Sequence, residues 1–124
     1  MHIRLILELL RKWPPFVAID RVCTKPYTIQ SERPEEVNVH LKPGDLLNIP
    51  YVALHRNPLF YPNPERFDPE RFNEENKSKL VTFTYMPFGT GPRICIGSRF
   101  AIVELKSLLF KLLLNFEKYY HLIE

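Results

Sequence analysis

Residues 87–97 read PFGTGPRICIG, placing three glycines, an arginine and a cysteine in eleven positions directly ahead of a long apolar run. Cys95 stands two or three residues before the expected start of a helix. Unsatisfied backbone N–H groups and the positive end of a helix dipole gather there and favour an anion, so a thiolate there could ligate a metal. Gly89, Gly91 and Gly97 let the backbone turn tightly and come close to something flat or bulky. Arg93 suits a carboxylate carried by that object, because its planar fork pairs with carboxylates bidentately. The bland alternative is that Cys95 is a small buried hydrophobe, the commoner fate of a lone cysteine.

The rest of the composition narrows what such a site can belong to. The chain has 124 residues, 45% of them hydrophobic and 25% charged, which is enough for one small domain, residues 1–124, with a real core. Its two cysteines, Cys23 and Cys95, form no CxxC and no framework of close pairs, and no small-residue cleavage site follows the opening apolar stretch, so a stapled secreted fold is not expected. A formal net charge of +3 with scattered basic residues gives no reason to expect nucleic acid as a partner. No segment reads as a membrane span, since Glu104, Lys106 and Lys111 interrupt the longest apolar run well short of about 20 residues. Proline is the outlier, with 12 residues concentrated in the middle of the chain, which predicts turns and short pieces there.

The elements that must position Cys95 follow from the patterning. In MHIRLILELLRKWPP, Ile3, Leu5, Ile6, Leu9 and Leu10 recur at helical spacing until Pro14 and Pro15 stop the helix. That helix has no N-cap, so the folding unit is expected to begin upstream of Met1. FVAIDRVC, YTIQ, VNVHL and LLNI read as short strands, with Val37, Val39 and Leu41 on one face and KPGD as a turn, so the expected fold is mainly α with a small antiparallel β-sheet. Pro50 opens a brief helix over YVALHRN, and a proline-punctuated loop follows in which PERF occurs twice. A helix is predicted from about Ser98 to Asn115, and the spread of Phe100, Val103, Leu108, Leu112 and Phe116 predicts that it is buried on most sides.

The spacing Phe88-x-x-Gly91-x-Arg93-x-Cys95-x-Gly97 resembles the haem-binding loop of the cytochrome P-450 family, with every position of that pattern filled. ELLR at Glu8 to Arg11 resembles the family's ExxR helix motif, and PERF at Pro69 to Phe72 resembles its partner loop, in the right order. FVAIDRVCTKPYTI and PERFDPERF are most similar to the microsomal detoxification-type branch and its insect members, and the resemblance covers essentially the whole chain. It implies the C-terminal part of the family fold, incomplete, and the activity of a haem-thiolate monooxygenase. By the same resemblance Cys95 is the axial ligand of the iron of haem b, Arg93 and Arg21 (in DRVC) bond the haem propionates, and Phe88, Gly89, Gly91 and Gly97 shape the loop around the porphyrin. Thiolate donation to the iron favours O–O cleavage. Glu8 and Arg11 stand at i and i+3 and can pair on one helix face, with Arg71 completing a structural network under the haem. Without the other motifs, a solvated surface pair is the plainer reading of Glu8 and Arg11.

The implied partners are a lipophilic substrate, an NADPH-dependent flavoprotein reductase and, through an N-terminal anchor outside this chain, the cytoplasmic face of the endoplasmic reticulum membrane. Family members are several times longer, so the isolated chain is expected to fold poorly and not to turn over. The alternative is a short noncatalytic product that binds haem or another polypeptide through its first and last helices. His2, His40, His55 and His121 show no metal-ligand spacing with one another or with the cysteines. Cys23 is expected to fill core. Asn76 begins an NKS glycosylation triplet that carries little weight, and Arg99, Lys106 and Lys111 read as a solvated helix face before they read as a donor-docking surface. Phe16 to Ile19 is the stretch expected nearest a substrate.

Overall fold

A computed structural model describes residues 2–116. Helix α1 (His2–Lys12) buries Ile6 and Leu10, one turn apart, and ends when the Trp13 N–H donates to the Leu9 carbonyl at 2.7 Å and two prolines follow. Arg11 and Lys12 occupy its last turn, where cations complement the helix dipole. The expected sheet is two separate two-stranded antiparallel ladders. Strand β1 (Ile19–Val22) pairs with β4 (Leu46–Ile49), Ile19 opposite Ile49, while β2 (Tyr27–Ile29) and β3 (Val39–Leu41) form a ladder between them in the chain, Tyr27 opposite Leu41. Val37 lies outside β3 and is exposed.

Where β1 ends, the Cys23 N–H donates to the Asp45 carbonyl and Gly44, at φ +95°, donates to the Cys23 carbonyl, which closes the turn. Cys23 does not fill core as expected: it is half-buried, and its thiol donates to the Lys25 carbonyl at 2.9 Å. After the short helix α2 (Tyr51–His55) the proline loop runs back across the end of α1. The two PERF copies differ in form, because Asp68 accepts from the Glu70 N–H and starts a 3₁₀ turn over Pro69–Phe72, whereas the first copy stays irregular. Helix α3 (Glu74–Lys77) begins on an Asn73 cap.

Helix α4 (Ser98–Phe116) is the long C-terminal element. Its expected burial is not observed. None of its described residues is buried, and Phe100, Val103, Phe110 and Leu114 are exposed, because among the described elements only α1 packs closely against it. No helix is long and apolar enough to cross a membrane among the described residues. The core lies where α1, α2, the Pro69–Phe72 turn and the segment before Pro87 meet: Ile6, Leu10, Tyr51, Tyr61, Phe72 and Met86 are buried there beside Glu8, Arg11, His55 and Thr84. His121 lies outside the described residues.

Candidate haem-thiolate site and the ion network behind it

Glu8 and Arg11 are fully buried and face each other through two charge-assisted bonds, Arg11 Nε to Glu8 Oε2 and Arg11 Nη2 to Glu8 Oε1, both 2.8 Å. The surface-pair alternative therefore falls. Arg11 also donates to the backbone carbonyls of His55 at 2.8 Å and Pro64 at 2.7 Å, so one guanidinium ties α1 to α2 and to the first PERF copy. Glu8 Oε1 accepts in addition from the Asp68 N–H at 2.9 Å, ahead of the second copy. Arg71 approaches Glu8 at 3.7 Å without forming a hydrogen bond to it and spends an Nη donor on the Asn63 carbonyl, 2.8 Å away. Its contribution to the network is electrostatic.

The loop that carries Cys95 is anchored to the same core. Gly89 and Gly91 have φ of +73° and +72°, a region costly for any residue with a Cβ, and they turn the chain away from Phe88 and back. The Cys95 N–H then donates to the Phe88 carbonyl at 2.9 Å and shuts the loop. Gly97 has an ordinary φ, and a Cβ placed there would stand 3.9 Å from the Cys95 sulfur. Cys95 itself is exposed, which excludes the reading of a buried hydrophobe.

One cavity of about 380 Å³ is lined by Cys95, Arg93, Phe88 and Gly89 from this loop, by Ile19 and Arg21 from β1, and by Phe16 and Tyr51. Alternation along β1 is what sends Ile19 and Arg21 to the same side, where Ile19 Cδ1 would sit 3.9 Å from a Cβ on Gly89. Arg21 donates to the Asp20 carbonyl, and among the described residues neither Arg21 nor Arg93 has a carboxylate partner. A thiol, two guanidiniums without counter-ions and apolar walls form a donor set that fits an iron porphyrin bearing two carboxylates. Gly91 and Gly97 lie outside the cavity lining and act through the course of the loop. Glu8, Arg11 and Arg71 do not line it either.

Sequence reasoning missed His55, which the structure puts at the centre. It is fully buried, its ring stacks on Tyr85 at 5.4 Å, and its Nε2 accepts from the Met86 N–H at 2.9 Å. Burial lowers its pKa to about 4; the Arg11 charge adds to this, while an interaction with the Arg11 backbone opposes it. Tyr85, pushed well up by burial, donates its hydroxyl to the Leu7 carbonyl at 2.8 Å. The one signal in the sequence was position: His55 closes a short helix whose other end, Tyr51, faces the cavity. Among the described residues no three His, Cys, Asp or Glu side chains cluster as a set of metal ligands.

The sequence profile described as Cytochrome P450 matches residues 4–121. The chain is 50% identical over 111 residues to cytochrome P450 9e2 of Blattella germanica, covering 90% of this chain and 20% of that one. It is 46% identical over 112 residues to cytochrome P450 9b1 of Drosophila melanogaster, covering 90% and 22%. Against cytochrome P450 6k1 of Blattella germanica it is 43% identical over 112 residues, covering 90% and 20%. The chain thus spans about a fifth of the length of the relatives it matches.

Proposed function

The chain belongs to the cytochrome P450 family, and we propose that it supplies the haem-ligating wall of a monooxygenase that inserts one atom of O2 into a lipophilic organic molecule. The observation that carries this reading is the convergence of Cys95, Arg93, Arg21 and Phe88 on one cavity. Cys95 would supply the thiolate that holds the haem iron, Arg93 and Arg21 would neutralise the two propionates, and Phe88 would pack beside the porphyrin. Bound in this way, haem supplies the redox chemistry that activates dioxygen. The balance is that of a mixed-function oxidation: two electrons from NADPH and two protons convert one oxygen atom to water while the other enters a C–H bond of the substrate.

Each residue has a task that follows from its place. The two guanidiniums that line the cavity would orient the porphyrin through its carboxylates, and the loop closed between Phe88 and Cys95 would hold the sulfur in place. Glu8, Arg11 and Arg71 touch neither iron nor substrate; they hold together the elements on which the loop rests. Phe16 and Ile19 give the cavity an apolar edge suited to a lipophilic substrate. Electrons arrive from a flavoprotein reductase, with the full-length protein on the cytoplasmic face of the endoplasmic reticulum.

The test uses the full-length protein. Purified protein is expected to contain haem and, once reduced under carbon monoxide, to show the red-shifted Soret band of a thiolate-ligated iron, and Cys95→Ala is expected to abolish that band. A wild type that takes up no haem, or a Cys95→Ala protein with the band intact, overturns the reading.

A further inference from the structure

The loop that carries Cys95 begins at Met86, and Met86 is held by a side chain outside the site described so far. Its buried N–H has His55 Nε2 as acceptor at 2.9 Å, and its own carbonyl accepts from the Gly89 N–H at 3.0 Å. Two residues on, the Phe88 carbonyl takes the Cys95 N–H. Three consecutive hydrogen bonds therefore run from the His55 ring to the backbone of the thiol residue. The ring is fixed in turn: Tyr85 stacks on one side at 5.4 Å, Tyr51 tilts against it at 5.4 Å, and Arg11 Nη1 holds the His55 carbonyl.

We propose that His55 is the positioning residue of the thiolate loop, acting through the acceptor Nε2 of a neutral ring whose proton sits on Nδ1. The tautomer follows from the donor, since a backbone N–H bonds only to a ring nitrogen that carries no proton. It has a cost, because Nδ1 is buried and the interaction of the ring with the Arg11 backbone falls short of hydrogen-bonding geometry. Packing alone would not select a tautomer whose donor is so poorly paired. The Met86 bond does, because without it a second buried backbone donor would also be unsatisfied. His55 thereby joins the Glu8–Arg11 network to the site, Arg11 holding its main chain while its side chain holds Met86. The proposal rests on the haem-thiolate reading for its consequence, though not for its geometry.

Two substitutions separate the hydrogen bond from the ring. His55→Phe keeps an aromatic ring between Tyr51 and Tyr85 but offers no acceptor. His55→Gln puts an amide oxygen as many bonds from the backbone as Nε2 and gives up the ring. In the full-length protein, hydrogen exchange at the Met86 amide is measured with and without haem, together with haem content and the carbon monoxide spectrum. His55→Phe is expected to speed Met86 exchange by roughly tenfold or more and to weaken the thiolate band. His55→Gln is expected to stay close to wild type on both. Any result in which the glutamine variant fails to outperform the phenylalanine variant overturns the proposal. Because exchange is also read without haem, a wild type that binds none would sink the reading of the site while the exchange pattern still decides the role of His55.

Discussion

Glu8→Ala is the perturbation with the largest worked effect. The carboxylate is fully buried, takes both Arg11 bonds at 2.8 Å and the Asp68 N–H at 2.9 Å, and is the one acid paired with Arg11 among the described residues. Among those residues, removing it leaves the buried guanidinium hydrogen-bonded to carbonyls alone and the Asp68 N–H without its acceptor. Breaking one side of a buried pair costs about 3–5 kcal/mol, against a typical total stability of about 5–15 kcal/mol. At about 1.4 kcal/mol per factor of ten, the folded-to-unfolded ratio should fall by roughly a thousandfold, so haem uptake should fail before catalysis can be measured. Urea titration of the haem-free full-length protein checks the size of the effect. A double-mutant cycle with Arg11→Met checks its origin, since removing both charges should be less damaging than the sum of the single changes. A loss below about 1 kcal/mol, the range of exposed pairs, or strict additivity in the cycle would refute the argument.

The pH dependence follows from His55. Its pKa lies at about 4 in the folded chain against an ordinary 6.5, so the unfolded state takes up the proton first as the medium is acidified. Its contribution to stability is therefore complete above pH 6.5 and is lost as pH falls towards 4, for a total of about 3 kcal/mol. Arg11 from α1 opposes a charge on the ring, and Tyr51 and Tyr85, which flank it, remain neutral throughout this range. Denaturation midpoints measured across that window should fall more steeply with acid in the wild type than in His55→Gln; equal slopes would refute the assignment. In the loop, Gly91→Ala meets no atom within 4 Å but inherits φ +72°, so a loss of about 1 kcal/mol of conformational origin is expected in the same assay.

What the sequence made legible was set by short-range chemistry. Pro14 and Pro15 mark the end of α1, Ser98 the start of α4, and i, i+3 spacing puts Glu8 beside Arg11, because each depends on residues within one or two helical turns. Glycines at 89 and 91 likewise announce a turn that needs positive φ. Pairing over distance was not legible. VNVHL and YTIQ pair with each other and FVAIDRVC with LLNI, but nothing local in those runs separates two ladders from one sheet. The apolar face of α4 has helical spacing whether or not a neighbour covers it, so spacing alone could not predict its exposure. The acceptor role of His55 was illegible for a similar reason: it needs the Met86 N–H, 31 residues away in the chain.

The composition of the core explains why the polar groups matter more here than apolar burial does. Among the described residues six large apolar side chains are buried beside Glu8, Arg11, His55 and Thr84. Burial of apolar surface stabilises a compact chain but is non-directional, so it cannot fix the height or direction of an irregular loop. The segments from Asn57 to Asp68 and from Thr84 to Gly97 have no strand partners to set their register. Their backbones are held by directed donors and acceptors instead: Arg11 on the Pro64 carbonyl, Glu8 on the Asp68 N–H, His55 on the Met86 N–H, and Cys95 on the Phe88 carbonyl. An apolar replacement of Glu8 and Arg11 that matched their volume could restore stability, as buried ion pairs often permit. It would not restore the backbone contacts that Arg11 and Glu8 make with the neighbouring segments. Stability and placement of the sulfur should therefore separate in a Glu8→Leu, Arg11→Met double variant, which should recover much of the denaturation midpoint lost in Glu8→Ala while its thiolate absorption band stays weak. Recovery of both together would show that packing, not the directed contacts, positions Cys95.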